Sequence, residues 1–241
     1  MYPFIHIGAA SISVYWLMYG VGLISMLVLI LIRRKKYDLS IFKSTVIFLY
    51  ITLLGTVGAK ILSITENLIN RLTSTGGEDL LAGFSYYGAV FLVFFLIGPL
   101  GRTVGLKPEK GRDLAAVCVM SQAAFMRVGC FFNGCCGGWT AKINETVFTW
   151  PTQLIECFCD FLIIAWLLYC EKKGRGLLYP RFMLTYSTVR FFLEFFRDTP
   201  KNWLWLSHGQ WFAIIAIVLS EILIYRKKRR SEDGKRRRQT K

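Results

Sequence analysis

Charge is what this sequence is short of. Only 19% of its 241 residues are Asp, Glu, Lys or Arg, while 54% are hydrophobic. A soluble domain of that length would carry more charge and less apolar surface. Histidine is scarce as well, with His6 and His208 the two present. His6 reads as an interfacial residue, and His208, beside Gly209 and Gln210, as a loop residue within reach of a site. No C-x-x-C motif occurs, which removes the usual signature of a thiol oxidoreductase. No basic segment precedes the first apolar run and no small-residue cleavage pattern follows it, so the first helix is expected to be retained.

Long apolar runs are what the sequence has instead. They cover approximately 12–32, 42–64, 83–100, 113–130, 152–170, 177–196 and 209–225, each near the about 20 residues that a helix needs to cross a bilayer. The fourth is the weakest, interrupted by Ser121, Gln122 and Arg127. The expected fold is an all-α integral membrane protein of about seven transmembrane helices. Residues 1–225 form one membrane domain on this reading, and 226–241 a basic cytoplasmic tail.

The formal charge of +15 suggests nucleic acid until its placement is considered. Of 30 basic residues, 10 lie between Arg226 and Lys241, and most others cluster between apolar runs. With the N-terminus out and the helices alternating, 23 basic residues fall inside and 7 outside: Lys60, Arg71, Arg127, Lys142, Arg190, Arg197 and Lys201. Cytoplasmic loops are the basic ones, so the asymmetry predicts N-out, C-in, with membrane rather than nucleic acid as the partner. Arg127, Arg190 and Arg197 stand at outer helix ends against that bias. A basic residue inside a membrane usually snorkels, pairs with a carboxylate or binds an anion.

Two constellations carry these arginines. In the sixth run, Tyr186, Arg190, Glu194 and Arg197 share one stripe at about 100° per residue. Glu194 can serve two arginines, which suits either a structural cluster or a pocket for a phosphate headgroup. The second is Arg127-Val-Gly-Cys-Phe-Phe-Asn-Gly-Cys-Cys-Gly-Gly138, an arginine at a helix end followed by a glycine-rich turn. Irregular backbone at membrane depth is tolerated only where protein or water satisfies it. Cys130, Cys135 and Cys136 fall in this segment. They read as small structural residues or a disulfide, with Cys130 pairing to Cys135 or Cys136, or else as a reactive thiol. C-x4-C-C is not a zinc pattern and no nearby histidine completes one, so no metal is expected. Cys118, Cys157, Cys159 and Cys170 fall in helices as small hydrophobes.

Together the two constellations resemble the prolipoprotein diacylglyceryl transferase family. Arg127, Val128, Gly129, Phe131, Asn133, Gly134 and Gly138 match its signature. Arg190, Phe191, Glu194, Phe195 and Arg197, preceded by Tyr186, match its late R-F-x-x-E-F-x-R segment. Similar matches are Pro3 to Gly8 with Ser11, Ile12 and Tyr15; Gly58-Ala59-Lys60; Pro151-Thr-Gln153-Leu-Ile-Glu156; and Gly209-Gln210. There are departures. Tyr87 stands where the family has a histidine, Cys130 replaces an asparagine, Cys135 a glutamate and Trp150 a histidine, and Trp139 sits where an arginine commonly follows.

What the resemblance implies is transfer of the diacylglyceryl group of phosphatidylglycerol to the lipobox cysteine of a prolipoprotein, in a bacterial cytoplasmic (inner) membrane. The site would open to the outer leaflet and use no cofactor. Arg127 and Arg190 would hold the phosphodiester, with Tyr87 and Glu194 completing the catalytic set. Asn133, Gly138, Gln153, Glu156, Tyr186 and Arg197 would bind substrate. Other readings are a paralogue with a different thiol or peptide acceptor, a non-catalytic phospholipid-binding protein, and a transporter.

Overall fold

A computed structural model describes residues 3–7, 10–72, 79–143, 146–197, 199 and 205–239. Gly8, Asp198, Lys201, Lys241 and the 73–78 part of the polar stretch after the second run lie outside these.

Seven helices run through the described residues: α1 Val14–Arg33, α2 Ile41–Leu72, α3 Tyr86–Gly101, α4 Pro108–Asn133, α5 Thr152–Lys172, α6 Leu178–Leu193 and α7 His208–Gln239. All but α6 are long and apolar enough to cross a membrane. With 16 residues, α6 is about 24 Å long, and a 3-10 turn at Glu194–Phe196 extends it. Two helices outrun their apolar segments. α2 continues through the polar residues after 64 to Leu72, and α7 carries the basic tail as helix to Gln239.

Local chemistry sets several boundaries. Ser40 Oγ accepts the backbone N–H of Lys43 at 3.3 Å at the start of α2. Pro108 opens α4, where its missing N–H costs nothing. Gly134, at φ 73°, ends α4 in the left-handed conformation.

α4 is the central helix, packed against α1, α2, α3, α5 and α6. Its interruptions of the apolar pattern face protein rather than lipid. Ser121 Oγ lies 2.7 Å from Ser25 Oγ, and Gln122 Nε2 donates to the Tyr19 carbonyl at 3.4 Å. Where α2 crosses α3, Gly58 and Gly88 face each other so closely that a Cβ on either would overlap the other's carbonyl. Small residues of this kind let membrane helices approach backbone to backbone.

Two hairpins of four-residue strands, absent from the all-α expectation, lie at the end where α1 and α5 begin. β1 (Phe4–Ile7) pairs antiparallel with β2 (Ala10–Ser13), and β3 (Thr140–Ile143) with β4 (Thr146–Thr149). The first leads into α1. The second fills the connection from α4 to α5. At the opposite end a charged cluster ties α1 to α5. Arg33 Nη2 lies 2.6 Å from Glu171 Oε1, Nε donates to Oε2 at 3.0 Å, and Nη1 donates to the Leu114 carbonyl at 3.0 Å. The Tyr37 hydroxyl donates to the same carboxylate at 2.5 Å.

Candidate active site

Arg127 lies one and a half turns before the end of α4, and Glu156 one turn into α5. α6 brings Tyr186 and Arg190 to the same level, and the 3-10 turn after it adds Glu194 and Arg197. Three guanidinium groups therefore converge on one carboxylate. Arg127 Nη2 is 2.7 Å from Glu156 Oε1, Arg190 Nη1 is 3.1 Å from Oε2, and Arg197 Nη1 is 3.5 Å from Oε2. Glu156 is 1% exposed, so only this ring of positive charge makes its ionised form affordable there.

A second carboxylate closes the cluster. Glu194 Oε2 is 2.9 Å from Arg190 Nη2 and 3.8 Å from Arg197 Nε. Its other oxygen accepts the hydroxyls of Thr199 at 2.9 Å and Ser207 at 3.0 Å, which anchors it to the start of α7. Tyr186 stands beside Glu156 and Arg127. Its hydroxyl accepts from Arg127 Nη2 at 3.4 Å and donates to Glu156 Oε1 at 3.3 Å.

Three guanidiniums against these two carboxylates leave an excess of one positive charge. Donor capacity is also left over. Among the described residues, neither Arg127 Nε nor Arg197 Nε has a hydrogen-bond partner. A buried, oriented donor without a partner is costly unless a ligand completes it. The arrangement is suited to a phosphate, which accepts planar paired hydrogen bonds from arginine.

The other expected site residues fall around this core. The Tyr87 ring lies 6.0 Å from that of Tyr186 and is buried with it. Gly138 pairs as an isolated antiparallel bridge with Arg197. A Cβ there would lie 2.6 Å from the Phe196 carbonyl oxygen and 2.7 Å from Thr152 Cγ2, so glycine is what lets the turn close against the arginine. Gln153 Nε2 donates to the Cys135 carbonyl at 2.8 Å and holds the same turn. Asn133 differs. It is the last residue of α4, exposed, and its side chain meets Cys135 rather than the arginines. His208 lies close by, with Nε2 3.2 Å from Asn70 Oδ1.

Two features of the site went unread in the sequence. Glu156 was expected as one substrate contact among several, yet it is the hub of the ion-pair network. Asp160, one turn along α5, was not singled out. It is fully buried, and neither of its oxygens has a hydrogen-bond partner among the described residues. The signal was there, because an acidic residue inside an apolar run is costly and seldom idle. Cys130, Cys135 and Cys136 are not joined by a disulfide.

Comparison with known proteins points the same way. A family model described as prolipoprotein diacylglyceryl transferase matches residues 3–226. A phosphatidylglycerol–prolipoprotein diacylglyceryl transferase 2 of Clostridium perfringens is 30% identical, covering 92% of this chain and 94% of its own. A phosphatidylglycerol–prolipoprotein diacylglyceryl transferase of Clostridium tetani is 25% identical over 85% and 89%. One from Idiomarina loihiensis is 31% identical over 63% of each chain.

Proposed function

The chain belongs to the prolipoprotein diacylglyceryl transferase family, and from that premise we propose that it moves the diacylglyceryl group of phosphatidylglycerol to the cysteine thiol of a prolipoprotein. The observation that carries the reading is the convergence of Arg127, Arg190 and Arg197 on Glu156, with one positive charge in excess.

The reaction needs no nucleophile from the enzyme, because the acceptor brings its own thiol. A C–S bond forms at the glyceryl carbon while the C–O bond to phosphate breaks. Glycerol phosphate leaves with the electron pair of that bond, and its new negative charge takes up the proton that the thiol gives up. The protein must therefore align the two substrates and stabilise charge on the departing phosphate. Arg127 and Arg190 hold the phosphodiester, Glu156 and Glu194 fix their planes, and Arg197 completes the positive rim. Tyr186 orients Arg127, and Tyr87 packs behind it. Gln153 and Gly138 shape the turn that covers the site, with Asn133 at its outer edge.

On the orientation read from the basic residues, this end faces outward. The site then opens to the outer leaflet of a bacterial cytoplasmic membrane, with residues 1–225 as one membrane unit and the basic helical end in the cytoplasm. An apolar groove of about 420 Å³ between α5 and α6, lined by Ile163, Trp166, Leu184, Thr188 and Val189, has the lining an acyl chain requires.

The test is direct. Purified protein, given phosphatidylglycerol with labelled acyl chains and a lipobox peptide, is expected to yield a labelled thioether peptide, and a Cys→Ser peptide to yield none. Wild type is expected to rescue a transferase-depleted strain, and Arg127→Ala and Arg190→Ala are not. Rescue without thioether product would sink the proposal.

A further inference from the structure

Three thiols lie against the arginine network without taking part in it. Cys130 is in the last turn of α4, and Cys135 and Cys136 follow Gly134. Their sulfurs lie within 4.8 Å of one another. Neighbouring residues normally point apart. Here Cys136 adopts φ 63°, a left-handed conformation uncommon outside glycine, and the chain turns so that both sulfurs face Cys130.

The turn is held in place by its backbone. Gln153 Nε2 donates to the Cys135 carbonyl at 2.8 Å and Thr152 Oγ1 to that of Cys136 at 3.2 Å. Cys130 is buried, Cys135 half-buried and Cys136 exposed, so the cluster has an inner wall and an open mouth.

We infer that Cys130, Cys135 and Cys136 form a three-thiolate site for a soft d10 cation, Zn²⁺ or Cu(I), at the edge of the arginine site. The C-x4-C-C spacing gave no hint of this, because the third ligand comes from adjacent residues that only the left-handed turn brings together. Metal–sulfur bonds of about 2.3 Å place three sulfurs about 3.8 to 4.0 Å apart, so the cluster closes on an ion with a shift of about an ångström. An all-sulfur donor set rejects Mg²⁺ and Ca²⁺, which require oxygen. Zn²⁺ would take water as its fourth ligand at the open mouth, whereas Cu(I) is complete with three.

Charge balance favours the bound state. Three S–M bonds form as whichever thiols are still protonated lose their S–H bonds, the protons pass to solvent, and no electron is transferred. The product carries charge −1 with Zn²⁺ or −2 with Cu(I), and Arg197 and Arg127 are the cations that face it. Occupancy would also fix the turn that presents Gly138 to Arg197, which couples the ion to the neighbouring site. The inference does not depend on the transferase reading, because its test reads metal rather than product.

The full chain in detergent, reduced with a phosphine, is titrated with Zn²⁺ and separately with Cu(I) against a chromophoric chelator. One ion per chain and release of protons are expected in at least one arm, and the arm that gives them identifies the ion. Cys135→Ser and Cys136→Ser should each raise the dissociation constant by at least the about 10- to 100-fold that loss of even an outer partner costs. Cys159→Ser, elsewhere on α5, should leave it unchanged, and thermal melts establish that the variants are folded. No stoichiometric ion in either arm, or undiminished binding in folded Cys136→Ser, overturns the assignment. So does a Cys130 disulfide that survives the reductant.

Discussion

Asp160 sits one helical turn from Glu156 on α5, and both carboxylates act on Arg127. They differ in what surrounds them. Glu156 is ringed by three guanidiniums, whereas Asp160 has no hydrogen-bond partner among the described residues. Removing the hub should strand Arg127 and leave Arg190 and Arg197 to Glu194 alone, so Glu156→Gln is expected to cost about 3–5 kcal/mol. Asp160→Asn removes a buried group that gains little from its neighbours. It should melt no lower than wild type, and transferase kcat/KM should fall by less than about tenfold, about 1.4 kcal/mol, because Asp160 makes no hydrogen bond to Arg127. Thermal melting and peptide turnover in one preparation decide this. A loss of stability, or a larger fall in turnover, would be the wrong pattern.

Arg127 makes its contacts through the shape of its head as well as its charge. One nitrogen serves both Glu156 and Tyr186, while Nε has no hydrogen-bond partner among the described residues. Lysine preserves the charge and loses the fork. Arg127→Lys should therefore lower kcat/KM by about 10- to 100-fold, matching loss of a charged hydrogen bond worth about 1.5–3 kcal/mol. Activity within twofold of wild type would mean that charge alone is used there.

Gly138 is a steric requirement. The Cβ of Gly138→Ala would press on the Phe196 carbonyl, Thr152 and Trp150, the last at 2.9 Å from its Cβ. The atoms met are a backbone oxygen, a Thr Cγ2 and a Trp Cβ, none of them the far end of a flexible side chain that could swing aside. The turn must back away from Arg197, at a cost of about 1–3 kcal/mol. The expected result is a lowered melting temperature and a raised KM for phosphatidylglycerol.

Much of the fold was legible because membrane helices announce themselves by length and hydropathy. The seven runs reappear as α1 to α7, most within a few residues at each end. α2 and α7 are longer than expected because helix geometry continues where hydrophobicity stops, as it does from Thr65 to Leu72. The hairpins were missed because four-residue strands leave almost no periodic trace. In the site, periodicity placed Tyr186, Arg190, Glu194 and Arg197 on one stripe, and the structure joins them. Periodicity cannot say which face of α5 meets α4, so the central place of Glu156 and the burial of Asp160 stayed hidden. Cys130, Cys135 and Cys136 were hidden for a similar reason. Their meeting depends on one left-handed residue, and spacing alone carries no information about it.

The Arg33–Glu171 pair provides the contrast that separates structure from function. It is buried at the far end of the bundle and satisfied by Leu114 and Tyr37. Glu171→Gln should lower stability, by up to the about 3–5 kcal/mol seen when a buried pair is broken. In the folded fraction, KM for phosphatidylglycerol should match wild type. A changed KM would mean that the two ends of α5 communicate.

The cysteine cluster makes a pH-dependent prediction whose sign can be worked out. Contacts from the Cys130 and Cys135 sulfurs, helped by Arg197 and Arg127, hold the Cys136 thiol well below its ordinary pKa against the opposing effect of burial. At Cys135 the contact with Cys130 lowers the pKa, but that with Cys136, together with burial, outweighs it and the net shift is upward. The thiolate is the reactive form, so Cys136 should remain alkylatable as pH falls, after Cys135 has become inert. Stability follows the same sign. The lowered Cys136 pKa contributes stability above the unfolded thiol's value, about 8.5, and that contribution is lost as pH falls through the folded one. Mass spectrometry after brief iodoacetamide treatment at pH 6 and pH 8 should find the label at Cys136 in both cases, and at Cys135 only weakly at pH 8. Saturating Zn²⁺ or Cu(I), whichever binds, should slow labelling of Cys136 at both values, because coordination draws charge off the thiolate and lowers its nucleophilicity. Faster labelling of Cys135 than of Cys136 would reverse the assignment of which sulfur carries the charge.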